Sequence, residues 1–258
     1  MATTIRGARA ARRVDMVRAW VVLAAAVVQA VAGSLGGSGF FGESQQVLSD
    51  RYPSPLMPAT IAFSVWTVIY LALLVYAVHQ TLPGQPARAV HRATGWWFVA
   101  TAVFNAGWIV VFSQGYLGTA QVLIVALLVS LVMILRTLAR FPAESTVDRV
   151  LLHGPMAFYT GWVALATVLG ATVTSTYLGA EPGPWVGALV LLVAVAVICG
   201  AVFRTVAAVP FAATAAWALF WIAVEAGAVV ATVAGLGALA VVAAAALRAR
   251  QGSRPAFG

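Results

Sequence analysis

The chain has 258 residues, of which 62% are hydrophobic and only 9% charged, and its mean hydropathy is +0.97. That is far too little polar side chain to coat a soluble globule, so a bilayer must supply part of its solvent. The net charge of +8 rests on arginine alone, and the arginines stand in short tails and loops beside apolar runs; without a basic face, nucleic acid is excluded as a partner.

A bilayer core is crossed by roughly 20 apolar helical residues. Eight stretches are long enough: 17 to 37, 58 to 80, 94 to 114, 117 to 139, 155 to 176, 185 to 203, 206 to 224 and 227 to 248. The sequence therefore predicts an all-α, polytopic transmembrane helical bundle of about eight helices, with tails at 1 to 16 and 249 to 258. The first stretch has a basic start, an apolar run and Ala30-Val31-Ala32, a pattern shared by a retained helix and by a secretory signal with its cleavage site. The last two spans form a tight hairpin around Glu225-Ala226-Gly227. Gly33 with Gly37, and Ala166 with Gly170, have the four-residue spacing that lets helices approach closely, a weak signal in so Ala-rich a chain.

Arginine accumulates on the cytoplasmic side of short loops. With eight spans and an inside N-terminus, that side holds Arg6, Arg9, Arg12, Arg13 and Arg18, then Arg88 and Arg92, then Arg136, Arg140 and Arg149, then Arg204, and finally Arg248, Arg250 and Arg254. Only Arg51 falls outside. Both termini are thus expected in the cytoplasm, and arginine-only basic usage with abundant alanine suits a GC-rich bacterial genome, hence an inner membrane.

Trp20, Trp96, Trp97 and Trp185 lie near predicted helix starts, where indoles favour the headgroup level. Trp217 and Trp221, one turn apart, are expected to face lipid or the last helix. Trp66 and Tyr70 share a face of the second helix; Phe104, Trp108 and Phe112 form a stripe on the third, beside Asn105; Phe158, Trp162 and Ala166 repeat this on the fifth, next to Tyr159. These three faces either line one pocket or pack against each other. Asn105 needs a partner, because an unpaired amide in hydrocarbon is costly. The longest outer loop, 38 to 57, lies over Trp66 and Trp108 and has the length of a functional lid.

Other chemistry is missing. No Asp, Glu, Arg or Lys lies centrally within a span, as ion-coupled carriers usually require, and without Lys no retinal Schiff base forms. His79, His91 and His153 sit at or beyond cytoplasmic helix ends and read as interfacial or loop residues, not metal ligands. Cys199 alone makes neither a disulfide nor a thiolate metal site. No catalytic set, phosphate loop or metal site is expected.

The segment from Pro58 through Phe63-Ser64-Val65-Trp66-Thr67-Val68-Ile69-Tyr70 resembles the second-helix motif P-V-W-T-x-L-Y of the tryptophan-rich sensory protein and translocator protein family (TspO/MBR, the peripheral benzodiazepine receptor family). Phe104-Asn105-Ala106-Gly107-Trp108 resembles its third-helix L-N-x-x-W. The run from Tyr159 through Trp162 and Ala166 to Leu169 resembles its fifth-helix P-Y-L-x-W-x-x-F-A-x-x-L-N. The resemblance covers about 17 to 178, a five-helix membrane domain, and leaves 185 to 248 as an additional three-helix segment. It implies a retained first helix and a homodimer that binds a porphyrin, haem-like or sterol-like ligand beneath the first loop. It carries ligand contact onto Trp108, Trp162, Ala166 and Leu169, and pocket-shaping positions onto Trp66, Tyr70, Asn105 and Tyr159. Thr60, Ile109, Phe158 and Gly170 depart from the motifs, and the lid has no Trp, so the resemblance does not extend to enzymatic breakdown of porphyrin.

The expected function is a membrane ligand-binding protein of the sensor or translocator type, not an enzyme. It would require no cofactor beyond a tetrapyrrole as ligand. The alternative is a transporter or permease for a small hydrophobic solute, although no internal repeat supports it.

Overall fold

The computed structural model describes residues 12 to 44, 47 to 48 and 51 to 258; Arg6 and Arg9 of the basic tail, and part of the 38 to 57 loop, lie outside it. Among the described residues eight helices are long and apolar enough to cross a membrane: α1 (Arg13–Gly37), α2 (Thr60–His79), α3 (Ala89–Ser113), α4 (Leu117–Leu138), α5 (Thr146–Tyr177), α6 (Pro184–Arg204), α7 (Ala208–Glu225) and α8 (Ala228–Ala249). A short α9 (Ser253–Phe257) follows, and there is no strand among the described residues. The predicted break between the last two spans is present, with Ala226 extended at ψ 158° between α7 and α8.

Packing follows the small and apolar faces. Helix α1 lies along α2 and α3, α3 along α4, α4 along α5, and α5 along α7, which is in turn covered by α8; α6 closes against α8. Branched and aromatic side chains such as Leu71, Leu189, Leu239 and Phe220 point outward and are more than half exposed, as suits a surface solvated by acyl chains. Trp20, Trp96 and Trp185 are likewise outward, at 58%, 58% and 75% exposure.

A helix-to-helix backbone contact falls not at the Gly33 or Ala166 repeats but at Gly161 of α5, where a Cβ would overlap the backbone oxygen of Phe211 on α7 and come within 2.5 Å of Thr214 Oγ1. Thr214 Oγ1 also donates to the Phe158 carbonyl at 2.7 Å, pinning the two helices together. Gly33 instead makes room for the ring of Tyr70.

Two helices, α3 and α5, start well before their apolar runs predict, at Ala89 and Thr146. Helix α3 begins at Ala89, because Arg88 and Arg92 on its first turn are held by acidic partners: Arg92 on Asp15 of α1 at 2.5 Å, and Arg88 bidentate on Asp148 at 2.6 and 2.7 Å. Helix α5 begins at Thr146, where the Ser145 hydroxyl accepts from the Asp148 amide in an N-cap. Its second turn, Arg149–His153, is a π-helix directly ahead of Pro155, a wider turn that accommodates the missing proline N–H and the ring. His91 and His153 are consequently buried within helices, not loop residues. His91 Nε2 lies 3.2 Å from Gln85 Oε1, and His153 Nε2 lies 3.0 Å from the Phe141 carbonyl.

Asp15 also pairs with Arg18 at 3.0 Å, and Arg18 donates to the Pro86 carbonyl at 2.6 Å, so one carboxylate ties α1, α3 and the turn between α2 and α3. Arg18 is only 4% exposed. Asp15→Asn leaves that guanidinium buried without its counter-charge and should lower the melting temperature in detergent by several degrees, whereas Glu43→Gln, on an exposed pair with Arg51, should not.

Candidate ligand-binding site

The turn after Pro58 is 3-10 over Thr60–Ser64 and passes into α-helix at Val65, which brings Trp66 inward to 8% exposure. Its indole stacks on Tyr70 one turn further along, with centroids 5.4 Å apart and planes 19° apart, and on Trp108 of α3 at 6.1 Å and 29°. It also meets Tyr159 and Trp162 of α5 edge-on, at 5.9 and 6.1 Å. The three helix faces singled out by spacing therefore converge on one ring. The offset stacks and perpendicular edges are the arrangements that the aromatic quadrupole favours.

Trp66, Trp108, Trp162, Ala166 and Leu169 line a common cavity. Tyr70, Asn105 and Tyr159 stand behind that wall: Asn105 Nδ2 donates to Tyr70 Oη at 3.1 Å, which fixes the tyrosine, and Tyr159 is fully buried against the edge of Trp66. The cavity measures about 40 Å³, room for little more than a water or a methyl group. Sites for drug-sized ligands enclose roughly 300 Å³ or more. The rings thus do both things that their spacing allowed: they pack on each other, and they line a space that is contracted in this conformation.

Unsatisfied polar atoms lie in the wall, on Trp162, and behind it, on Tyr159 and Asn105. Trp162 Nε1, Tyr159 Oη and Asn105 Oδ1 are buried with no hydrogen-bond partner among the described residues. In a low-dielectric interior such groups are costly and favour any occupant that offers a complementary acceptor or donor.

The loop between α1 and α2 roofs the cavity through Met57 and is fastened at several points. Glu43 N donates to the Ser113 carbonyl at 2.9 Å, the Ser54 and Thr172 hydroxyls lie 2.7 Å apart, and Thr176 Oγ1 donates to the Pro53 carbonyl at 3.1 Å. The rings of Tyr52 and Tyr177 meet edge to face at 5.4 Å.

Spacing did not identify every wall residue. Phe63 lies three positions before Trp66 and Val173 four after Leu169, so both continue the same faces and were readable by extending the stripes. Met57 belongs to no periodic element. Trp217 of α7 is turned toward the α2 turn and not simply toward lipid or α8: its Nε1 donates to the Ala62 carbonyl at 3.0 Å, and the Trp221 backbone carbonyl accepts from Ala59 N at 3.2 Å. Helix α7 thereby braces the turn that presents Trp66, a role legible only once the helices are placed.

A separate cavity of about 260 Å³ lies at the arginine-rich end, lined by Arg88, Arg140, Glu144, Asp148 and His153 among others. Arg88 is committed to Asp148, whose hydrogen bonds push its guanidinium above the usual range, and to Glu144, which leaves Arg140 as the lining arginine outside these ion pairs. Among the described residues no cluster of three or more His, Cys, Asp or Glu is arranged to hold a metal.

No curated protein and no solved structure matches the chain significantly. Residues 16–247 match the profile of the TSPO-like protein family. That match reaches into α8 and so takes in helices beyond the span of about 17 to 178 covered by the quoted motifs. With a match over most of the chain and eight membrane-crossing helices, this is a multi-pass membrane protein that belongs to the TSPO-like protein family.

Proposed function

We propose that the chain is a non-enzymatic binding protein of the sensor or translocator type. It takes a flat, hydrophobic, haem-like, porphyrin or sterol-like molecule between α2, α3 and α5, in a bacterial inner membrane with both termini in the cytoplasm. The observation that carries this reading is the convergence of Trp66, Trp108 and Trp162, from three helices, on one cavity wall with an unpartnered indole N–H. Flat π faces suit a planar ligand, and the buried donors suit its carbonyl or carboxylate groups.

The contracted cavity makes opening part of binding. A ligand must separate the Trp66, Trp108 and Trp162 rings, which acts on the α2 turn braced by α7, or lift Met57, which moves the lid. That coupling is what a sensor needs, since a ligand shifts a conformational equilibrium only through differential affinity for its states.

Titrating detergent-purified protein with protoporphyrin IX and with haem, followed by tryptophan quenching, tests the proposal. Saturable quenching is expected, on the order of micromolar, and Trp185→Phe, which removes an outward indole, should leave the affinity unchanged. Linear, non-saturating quenching would remove the tetrapyrrole reading. Solute flux in liposomes without such binding would favour a permease instead.

A further inference from the structure

We propose that the hydrophobic ligand reaches the pocket sideways from the bilayer, through a groove between α1 and α2, with the Trp66 indole as its gate. The inference rests on the binding reading above and adds a route to it.

A groove of about 360 Å³ runs between the two helices, lined on α1 by Ala30, Gly33, Ser34 and Gly37 and on α2 by residues that include Trp66 and Tyr70. Positions 30, 33, 34 and 37 share one helix face, and their small side chains leave the groove open. Leu71, which also lines it, is 58% exposed, so the groove gives onto the acyl-chain surface of the bundle. Its inner end is the wall of the pocket, for Phe63 and Trp66 line both spaces. Two side chains are thus all that stands between a bilayer-facing groove and the aromatic cavity.

The other walls are closed more firmly. The lid is fastened to α3 and α5 by the hydrogen bonds and the tyrosine pair described above, and to α7 through Ala59. On the far side, α5 meets α7 at backbone contact through Gly161. Trp66 is different: no hydrogen bond holds its indole among the described residues, and ring contacts alone keep it in place. Tyr70 is the fixed post beside it. Its ring occupies the space a Gly33 side chain would need, and its hydroxyl is held by Asn105. Rotation of the Trp66 side chain past Phe63 therefore joins groove to cavity without breaking a hydrogen bond of the lid or of Tyr70. Such an opening suits a ligand that partitions into the membrane before it binds, and it presents the flat molecule edge-on to Trp108 and Trp162.

The test fills the groove without touching the pocket. At Gly37 a Cβ would meet nothing within 4 Å, so Gly37→Ala, Gly37→Leu and Gly37→Phe grow into open space. Ser34→Leu, on the same face, is an independent plug should the Gly37 series fold poorly. Protein in liposomes preloaded with protoporphyrin IX or lacking it is followed by stopped-flow tryptophan quenching. Association and dissociation should both slow with plug size, by about tenfold for Gly37→Phe, while equilibrium affinity stays within about twofold, since a gate changes rates and not the end states. Saturable binding with unaltered rates in all the plugged variants overturns the lateral route and leaves the pocket standing. Loss of equilibrium affinity with unchanged association also overturns it, because the groove is then a binding site and not a passage. Absence of saturable binding in the wild type overturns the pocket reading, and the route falls with it.

Discussion

Gly161→Val should destabilise the bundle by about 2 to 4 kcal/mol and release α7 from α5. A Cβ at Gly161 has nowhere to go, because the atom it meets is the backbone oxygen of Phe211, and a packed backbone cannot step aside as a long side chain can. The same intrusion displaces Thr214, whose hydroxyl holds the Phe158 carbonyl at 2.7 Å. Overpacking of a tight contact costs roughly 1 to 3 kcal/mol, and the lost hydrogen bond adds about 1 more. Thermal unfolding in detergent, followed by size-exclusion chromatography, reads the effect; Thr214→Val, which removes only the hydrogen bond, should show the smaller part of it. Gly37→Val, with open space around its Cβ, is the control expected to melt like the wild type. Equal melting for Gly161→Val and Gly37→Val would mean that α5 and α7 are not held at this contact.

That contact leaves no distinctive mark in the sequence, whereas the spans do. All eight were legible because the bilayer imposes a minimum apolar length, and the apolar runs end within a few residues of the helices except at the starts of α3 and α5. Those two starts lie beyond the apolar runs, on turns held by Arg88, Arg92, Asp15 and Asp148, and ion pairs 60 or 77 residues apart in the chain leave no local pattern. The helix contact escapes spacing for a related reason. Small residues four apart mark a surface that permits approach, yet Gly33 receives a tyrosine ring and Gly37 nothing, while the backbone contact falls on Gly161, whose four-residue spacing from Ala157 is one of many such pairs in so Ala-rich a chain. The aromatic stripes succeeded because a helix has a fixed period: Trp66, Trp108 and Trp162 were bound to show one face each, and three such faces in a bundle tend to meet. What the period does not give is the space between them. That the cavity is contracted, that Met57 roofs it and that Trp217 braces its rim are facts of tertiary placement.

Trp108→Ala and Trp162→Ala should each weaken protoporphyrin IX binding by about 1 to 3 kcal/mol, roughly 5-fold to 150-fold in Kd, as the loss of one buried aromatic contact does. The two are expected to differ in kind. Trp108 stacks face-on against Trp66 and is tilted over Phe112 at 5.3 Å, so its loss removes π surface and enlarges the cavity, and part of the lost affinity should return as the ligand settles deeper. Trp162 meets Trp66 and Phe63 by its edge and carries the unpartnered Nε1. Its loss removes a donor as well as a ring, and Trp162→Phe, which restores the ring alone, should recover only part of the affinity. For Trp108→Phe recovery should be nearly complete. Intrinsic quenching measured against the remaining tryptophans gives both affinities, and a melting curve for each variant separates lost contact from lost fold. Wild-type affinity in both alanine variants would place the ligand away from these rings. Full recovery in Trp162→Phe would remove the indole N–H from recognition and leave stacking as the whole of the pocket's chemistry.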